Sequence, residues 1–117
     1  MALDPLMRRA VRLIAGAIEK YAADRGWGPA DYRWFYRTNP DWGLVGVILV
    51  AEGFEGRDYF QDYQAVRSYL ENALKDEPGL TMGPGIVLRT PKQVEEGGIY
   101  AIGPDYEEYE AFQPARG

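Results

Sequence analysis

The chain has 117 residues, which suits one domain that buries a core without covalent staples. It has no cysteine and no histidine, which excludes disulfides, thiolate-held zinc or iron–sulfur clusters, the commonest metal ligand, and every Ser–His or Cys–His nucleophile pair. Of 13 basic and 18 acidic residues, segment 95–117 holds Arg116 against Glu95, Glu96, Asp105, Glu107, Glu108 and Glu110, so residues 1–94 are neutral and the tail carries the net charge of −5, the wrong sign for an ordinary nucleic-acid binder.

The start places Asp4 ahead of Arg8 and Arg9 and has no long apolar run, unlike a signal peptide. The longest apolar stretch, Trp42 to Ala51, falls far short of the ~20 residues that cross a bilayer. A cytoplasmic protein without a membrane role is expected.

Asp4-Pro5 predicts a helix start, with Asp capping free amides and Pro fitting the first turn. Met7, Val11, Ile14, Ile18 and Tyr21 follow at helical spacing, and Gly26 with Gly28-Pro29 ends the helix. Tyr32 to Thr38 alternates aromatics with Arg33 and Arg37 and predicts a strand. The turn Asn39-Pro-Asp-Trp-Gly43 leads into Leu44 to Ala51, a continuous apolar run that reads as a central strand and closes a hairpin. Gly53-Phe-Glu-Gly56 breaks that strand, and Asp58 caps a second helix with a core stripe of Tyr59, Tyr63, Val66, Leu70 and Leu74. Gly83-Pro84-Gly85 turns the chain into a third strand, Ile86 to Thr90. Pro91 opens a helical turn, Gly97-Gly98 reads as a hinge, and Ile99 to Ile102 is the candidate for a further strand. The predicted order is α-β-β-α-β over residues 1–98, with an acidic, tyrosine-rich extension at 99–117.

Phe54 and Gly56 give a strand ending in Phe-x-Gly; Val66 and Leu70 follow at fixed spacings; Leu88-Arg-Thr-Pro91 precedes Val94-Glu95-Glu96. Over roughly residues 30–96 this pattern resembles the BolA-like family. The resemblance implies an α+β domain akin to the second type of KH fold: a three-stranded mixed sheet with its helices on one face. In that family an Arg-His-Arg segment and a second histidine follow, linked to DNA binding and to an iron–sulfur cluster shared with a monothiol glutaredoxin. Here Asp62-Tyr63-Gln64 stands in place of Arg-His-Arg, and no histidine exists. The resemblance therefore implies the fold, and no cofactor, metal or iron–sulfur cluster is expected.

Gly53-Phe-Glu-Gly56 has the Gly-x-x-Gly spacing of a KH backbone clamp, but its variable residues are Phe and Glu and it follows a strand, so a strand-to-helix turn is expected. Glu52, Glu55, Asp58 and Asp62 lie close in sequence and suit acid–base chemistry if burial separates them; acids at a helix start more often complement its dipole. The aromatic hairpin of Tyr32, Trp34, Phe35, Tyr36 and Trp42 reads as sheet core, with the arginines between them as an alternative base-stacking surface. Tyr106, Tyr109 and Phe112 are spaced by three, as on a helical turn. The segment is either a solvated tail or docks on the domain or a neighbouring subunit, with its acids facing Arg8, Arg9 and Arg12.

These residues point to a non-catalytic interaction or regulatory module that binds a protein or itself through Arg57, Asp62, Tyr63, Gln64, Arg67, Tyr106, Tyr109 and Phe112. The alternative is a nucleic-acid-binding domain using Arg33, Arg37, Arg57 and Arg67. A carboxylate-based enzyme is the third reading.

Overall fold

The computed structural model describes residues 4–77, 79–80 and 85–110. Helix α1 spans Pro5–Asp24. The Asp4 carboxylate accepts from the amides of Leu6 and Met7 at 3.1 and 3.4 Å, and Pro5 takes the first position, where an amide would have no partner. The whole predicted stripe, Met7, Val11, Ile14, Ile18 and Tyr21, is buried. Strands β1 (Tyr32–Asn39) and β2 (Leu44–Ala51) pair antiparallel along their full length, with Tyr32 opposite Ala51. Helix α2 (Tyr59–Leu74) follows, and β3 (Ile86–Arg89) then runs parallel to β2. The short helix α3 (Pro91–Glu96) starts with a reciprocal cap between Thr90 and Gln93.

The sheet has four strands, in the order β3-β2-β1-β4. The fourth, β4, is Glu107–Glu108, antiparallel to β1. This corrects the expected three strands and the candidate strand at Ile99 to Ile102. Gly97 and Gly98 sit at φ 75° and 60°, left-handed values that only glycine adopts easily, and Gly98–Tyr100 coils into a 3-10 turn. The chain re-enters the sheet only beyond Gly103-Pro104.

Helices α1 and α2 cover one sheet face, against Trp34, Tyr36, Val45, Val47, Leu49, Ala51, Ile86 and Leu88. The other face carries Phe35, Ile48 and Val50, covered by Val94 of α3, Ile102 and Tyr106. Helices on one face thus describes α1 and α2 but not α3. The reason is visible in β2, whose side chains are apolar on both faces and need cover on both.

Two expected core aromatics lie outside the core. Trp42, at the hairpin tip, is 73 % exposed, and Tyr59 is 50 % exposed. The buried row of α2 is Asp62, Val66, Leu70 and Leu74, with Tyr63 half-buried beside it.

The outer edge of β3 is closed by side chains at Leu88. Val47 donates to the Gly85 carbonyl at 2.7 Å, a parallel register that turns both backbone groups of Leu88 away from β2. The Leu88 amide donates to the Tyr59 hydroxyl at 3.3 Å, and its carbonyl accepts from Arg89 at 2.9 Å. Among the described residues, no helix is long and apolar enough to cross a membrane.

Candidate functional site

Arg25, just after α1, joins three elements. Its guanidinium donates to the Tyr21 hydroxyl at 2.7 Å and to the Gly53 carbonyl at 3.4 Å, and lies 3.6 Å from the Asp62 carboxylate. It also sits over the Trp27 ring at 4.8 Å. Trp27 in turn meets Tyr21 and Phe54 edge-on, at 5.6 and 5.3 Å. Gly53 makes this possible: a Cβ there would stand 2.6 Å from a Trp27 ring carbon. Burial raises the Tyr21 hydroxyl above its ordinary pKa, with Arg25 pulling the other way. The expected strand-to-helix turn at Gly53-Phe-Glu-Gly56 is therefore also a packing surface for Trp27.

Asp62 is 3 % exposed and is the buried charged residue among the described ones. Arg57 grips it: Nε lies 3.0 and 3.2 Å from the two carboxylate oxygens and Nη2 3.0 Å from one of them. That hydrogen bonding, and then the charge, raises the pKa of Arg57 further. Gly56, at φ 72°, turns the chain so that Arg57 reaches back to the first turn of α2. No buried side-chain nitrogen or oxygen among the described residues lacks a partner.

Beside this pair lies a groove of about 400 Å³ between the start of α2 and the β3–α3 corner. Its walls include Arg57, Tyr59, Asp62, Arg89, Lys92 and Tyr100. The Arg89 guanidinium stacks over Tyr100 at 5.1 Å. Among the described residues Lys92 has no ion-pair partner. Sequence reasoning missed Arg25, Arg89, Lys92 and Tyr100; their shared location follows from β3 lying beside α2, which no local pattern announces.

The expected partner residues fall in different places. Arg57 and Asp62 line the groove, although Asp62 has almost no surface to offer. Tyr63 stacks on Tyr59 at 6.3 Å and accepts from Arg67 at 3.1 Å, and Arg67 also binds Glu71 at 3.1 Å. Gln64 is exposed. None of these last three lines the groove. The four arginines of the nucleic-acid alternative do not share a surface: Arg33 and Arg37 point with Phe35 to the α3 side, while Arg67 sits on α2, across the sheet. The four clustered carboxylates do not converge either. Glu52, Glu55 and Asp58 are exposed, and Asp58 caps α2 through the amides of Phe60 and Gln61 at 2.9 and 3.3 Å. Among the described residues no group of three acids is placed to hold a metal ion.

The acidic segment is docked through Tyr109, with Glu107–Glu108 as a strand. An odd spacing in an extended chain sends side chains to opposite faces, so Tyr106 joins Phe35, Ile48 and Val50 while Tyr109 stacks on Trp34 at 4.7 Å. The Tyr109 amide donates to the Trp34 carbonyl at 2.9 Å. Glu108 forks onto Arg33 at 2.8 and 2.9 Å rather than onto α1, and Arg9 pairs with Glu77 at 3.5 Å. Phe112 lies outside the described residues.

Arg33 holds the Glu108 carboxyl below its ordinary pKa, first through the hydrogen bond and then through its charge. A lowered folded pKa gives stability that is present above the unfolded value, about 4.3, and lost as pH falls through the folded one. Both partners are about half exposed, so the effect is small and screened by salt. Exchange of the Tyr109 amide is therefore expected to lose protection below about pH 4. In Glu108→Gln the protection at neutral pH should already be reduced and that acid step absent; a step unchanged in the variant would assign it to another carboxylate.

With this geometry the chain was compared with known proteins. No family model, curated protein or solved structure matches it. The functional reading therefore rests on the residues themselves.

Proposed function

We propose that this domain is a non-catalytic interaction module of BolA-like form, which docks a protein partner at the groove between α2 and the β3–α3 corner. The order α1-β1-β2-α2-β3 and the mixed sheet accord with that fold. One observation carries the docking site. Among the described residues four large apolar side chains are prominently exposed; of these Tyr59 lines the groove, and Phe60 and Ile99 each adjoin in sequence a tyrosine that does, Tyr59 and Tyr100. Exposed apolar groups gathered beside a polar rim are the mark of an interface, because their burial drives association. Within the groove Asp62 is engaged by Arg57, and Arg89 is laid on Tyr100, which suits a rim that positions a partner.

The test is affinity capture at high salt with the full chain, Phe60→Glu, Ile99→Glu, and Gln64→Ala as a control. Phe60 is 64 % exposed and Ile99 85 %, so a charge there leaves the fold intact. A protein held by the parent and by Gln64→Ala, but bound roughly tenfold more weakly by both glutamate variants, supports the reading. Equal retention by all four chains removes the groove from consideration.

A further inference from the structure

Strand β1 presents Arg33, Phe35 and Arg37 on one face and Trp34 and Tyr36 on the other. The segment from Tyr106 to Tyr109 lies along its outer edge and meets these residues in turn. The Arg37 guanidinium covers the Tyr106 ring at 5.2 Å. Tyr36 donates to Glu107 at 3.2 Å. Arg33 forks onto both oxygens of Glu108 at 2.8 and 2.9 Å. Tyr109 lies on Trp34 with ring centres 4.7 Å apart and planes 20° from parallel. Flat rings set against an aromatic and a guanidinium, with an anion held by an arginine fork between them, are the contacts that hold single-stranded nucleic acid.

We infer that the edge of β1 is a binding platform for single-stranded nucleic acid and that the C-terminal segment occupies it as a mimic. Glu108 stands where a phosphate would sit on Arg33, and Tyr109 where a base would stack on Trp34. The segment is built to leave. It joins the sheet through two register pairs, Phe35 with Glu108 and Tyr36 with Glu107, and the one further backbone bond of Tyr109 to Trp34, and its ion pair is open to solvent. The net charge of −5, which argues against nucleic acid in the intact chain, is then the mask itself: residues 1–94 are neutral and the excess acid lies in residues 95–117, in the same stretch as the cover. This inference is independent of the groove and stands or falls without it.

The experiment uses the full chain and measures fluorescence anisotropy with labelled oligo(dT), oligo(U) and a duplex of mixed sequence, at low and high salt. Glu108→Ala combined with Tyr109→Ala is expected to bind the single strands roughly tenfold more tightly than the parent, the size of one stacking contact, with affinity falling as salt rises. Adding Arg33→Ala should abolish the gain. Circular dichroism establishes that each variant is folded. If the double variant does not fold, the parent decides the matter: oligo(dT) competes with the segment, so it must speed exchange of the Tyr109 amide. A folded double variant that binds no more tightly, equal affinity for the duplex, self-association without oligonucleotide binding, or a Tyr109 amide indifferent to saturating oligo(dT) would each overturn the proposal.

Discussion

Gly53→Ala is expected to destabilise the domain by about 1–3 kcal/mol, the usual cost of forcing a carbon into a packed site. The added Cβ would lie 2.6 to 2.8 Å from three atoms of the Trp27 indole. That ring cannot simply withdraw. Tyr21 and Phe54 meet it edge-on, and the Arg25 guanidinium covers it. Moving it pulls Arg25 off the Gly53 carbonyl and away from Asp62, so the disturbance spreads from α1 to the start of α2. Chemical denaturation of Gly53→Ala beside Gly16→Ala makes the measurement decisive. Gly16 lies in α1 with nothing within 4 Å of its would-be Cβ, so there the same carbon should stabilise by about 0.4–1 kcal/mol. Two substitutions of one kind, with opposite signs, separate packing from propensity. A neutral Gly53→Ala would mean that Trp27 is not held as described.

Asp62→Ala is expected to cost about 1–3 kcal/mol, and Asp62→Leu distinctly less. The position is buried in the row of Val66, Leu70 and Leu74, so alanine leaves a void where leucine continues an apolar ridge. Both variants strip Arg25 of its carboxylate, while Arg57, on the groove wall, can turn to water. The reverse order, leucine worse than alanine, would show that the ion pair and not the filled volume holds the first turn of α2. Thermal melts of the two variants, alone and combined with Arg57→Ala, rank these contributions. Near-additivity with Arg57→Ala would deny the coupling that the three short contacts imply.

Much of the fold was legible because its signals are local. The Asp4 and Asp58 caps, the α1 stripe, and the unbroken run of β2 each state their structure within a few residues. The errors share one cause, which is that a period or a partner is chosen by something distant. Tyr59 and Tyr63 look like the core side of α2, yet the helix is rotated so that Asp62 points inward, because Arg25 and Arg57 arrive from elsewhere to neutralise it. The spacing of Tyr106 and Tyr109 reads as helical, but an open strand edge on β1 extends the segment and sends the rings apart. Two glutamates make a poor strand by propensity; Arg33, 75 residues earlier, makes them a good one. The groove was half legible. Arg57 stands among the partner residues the sequence offers, flanking the segment Asp62-Tyr63-Gln64, whereas Arg89, Lys92 and Tyr100 become its neighbours only when β3 crosses over.

The plug on Leu88 bears on the behaviour of the protein at high concentration. A bare strand edge is a template on which another chain's backbone can continue the sheet, and repetition of that step builds a fibril. Here the tyrosine and the arginine that occupy the Leu88 amide and carbonyl take the two groups an incoming strand would need first. At the opposite edge, β4 covers β1 over only two pairs. Polymeric growth should therefore begin from the β1 side, and whatever draws the C-terminal segment away will set both what the domain binds and how long it stays in solution.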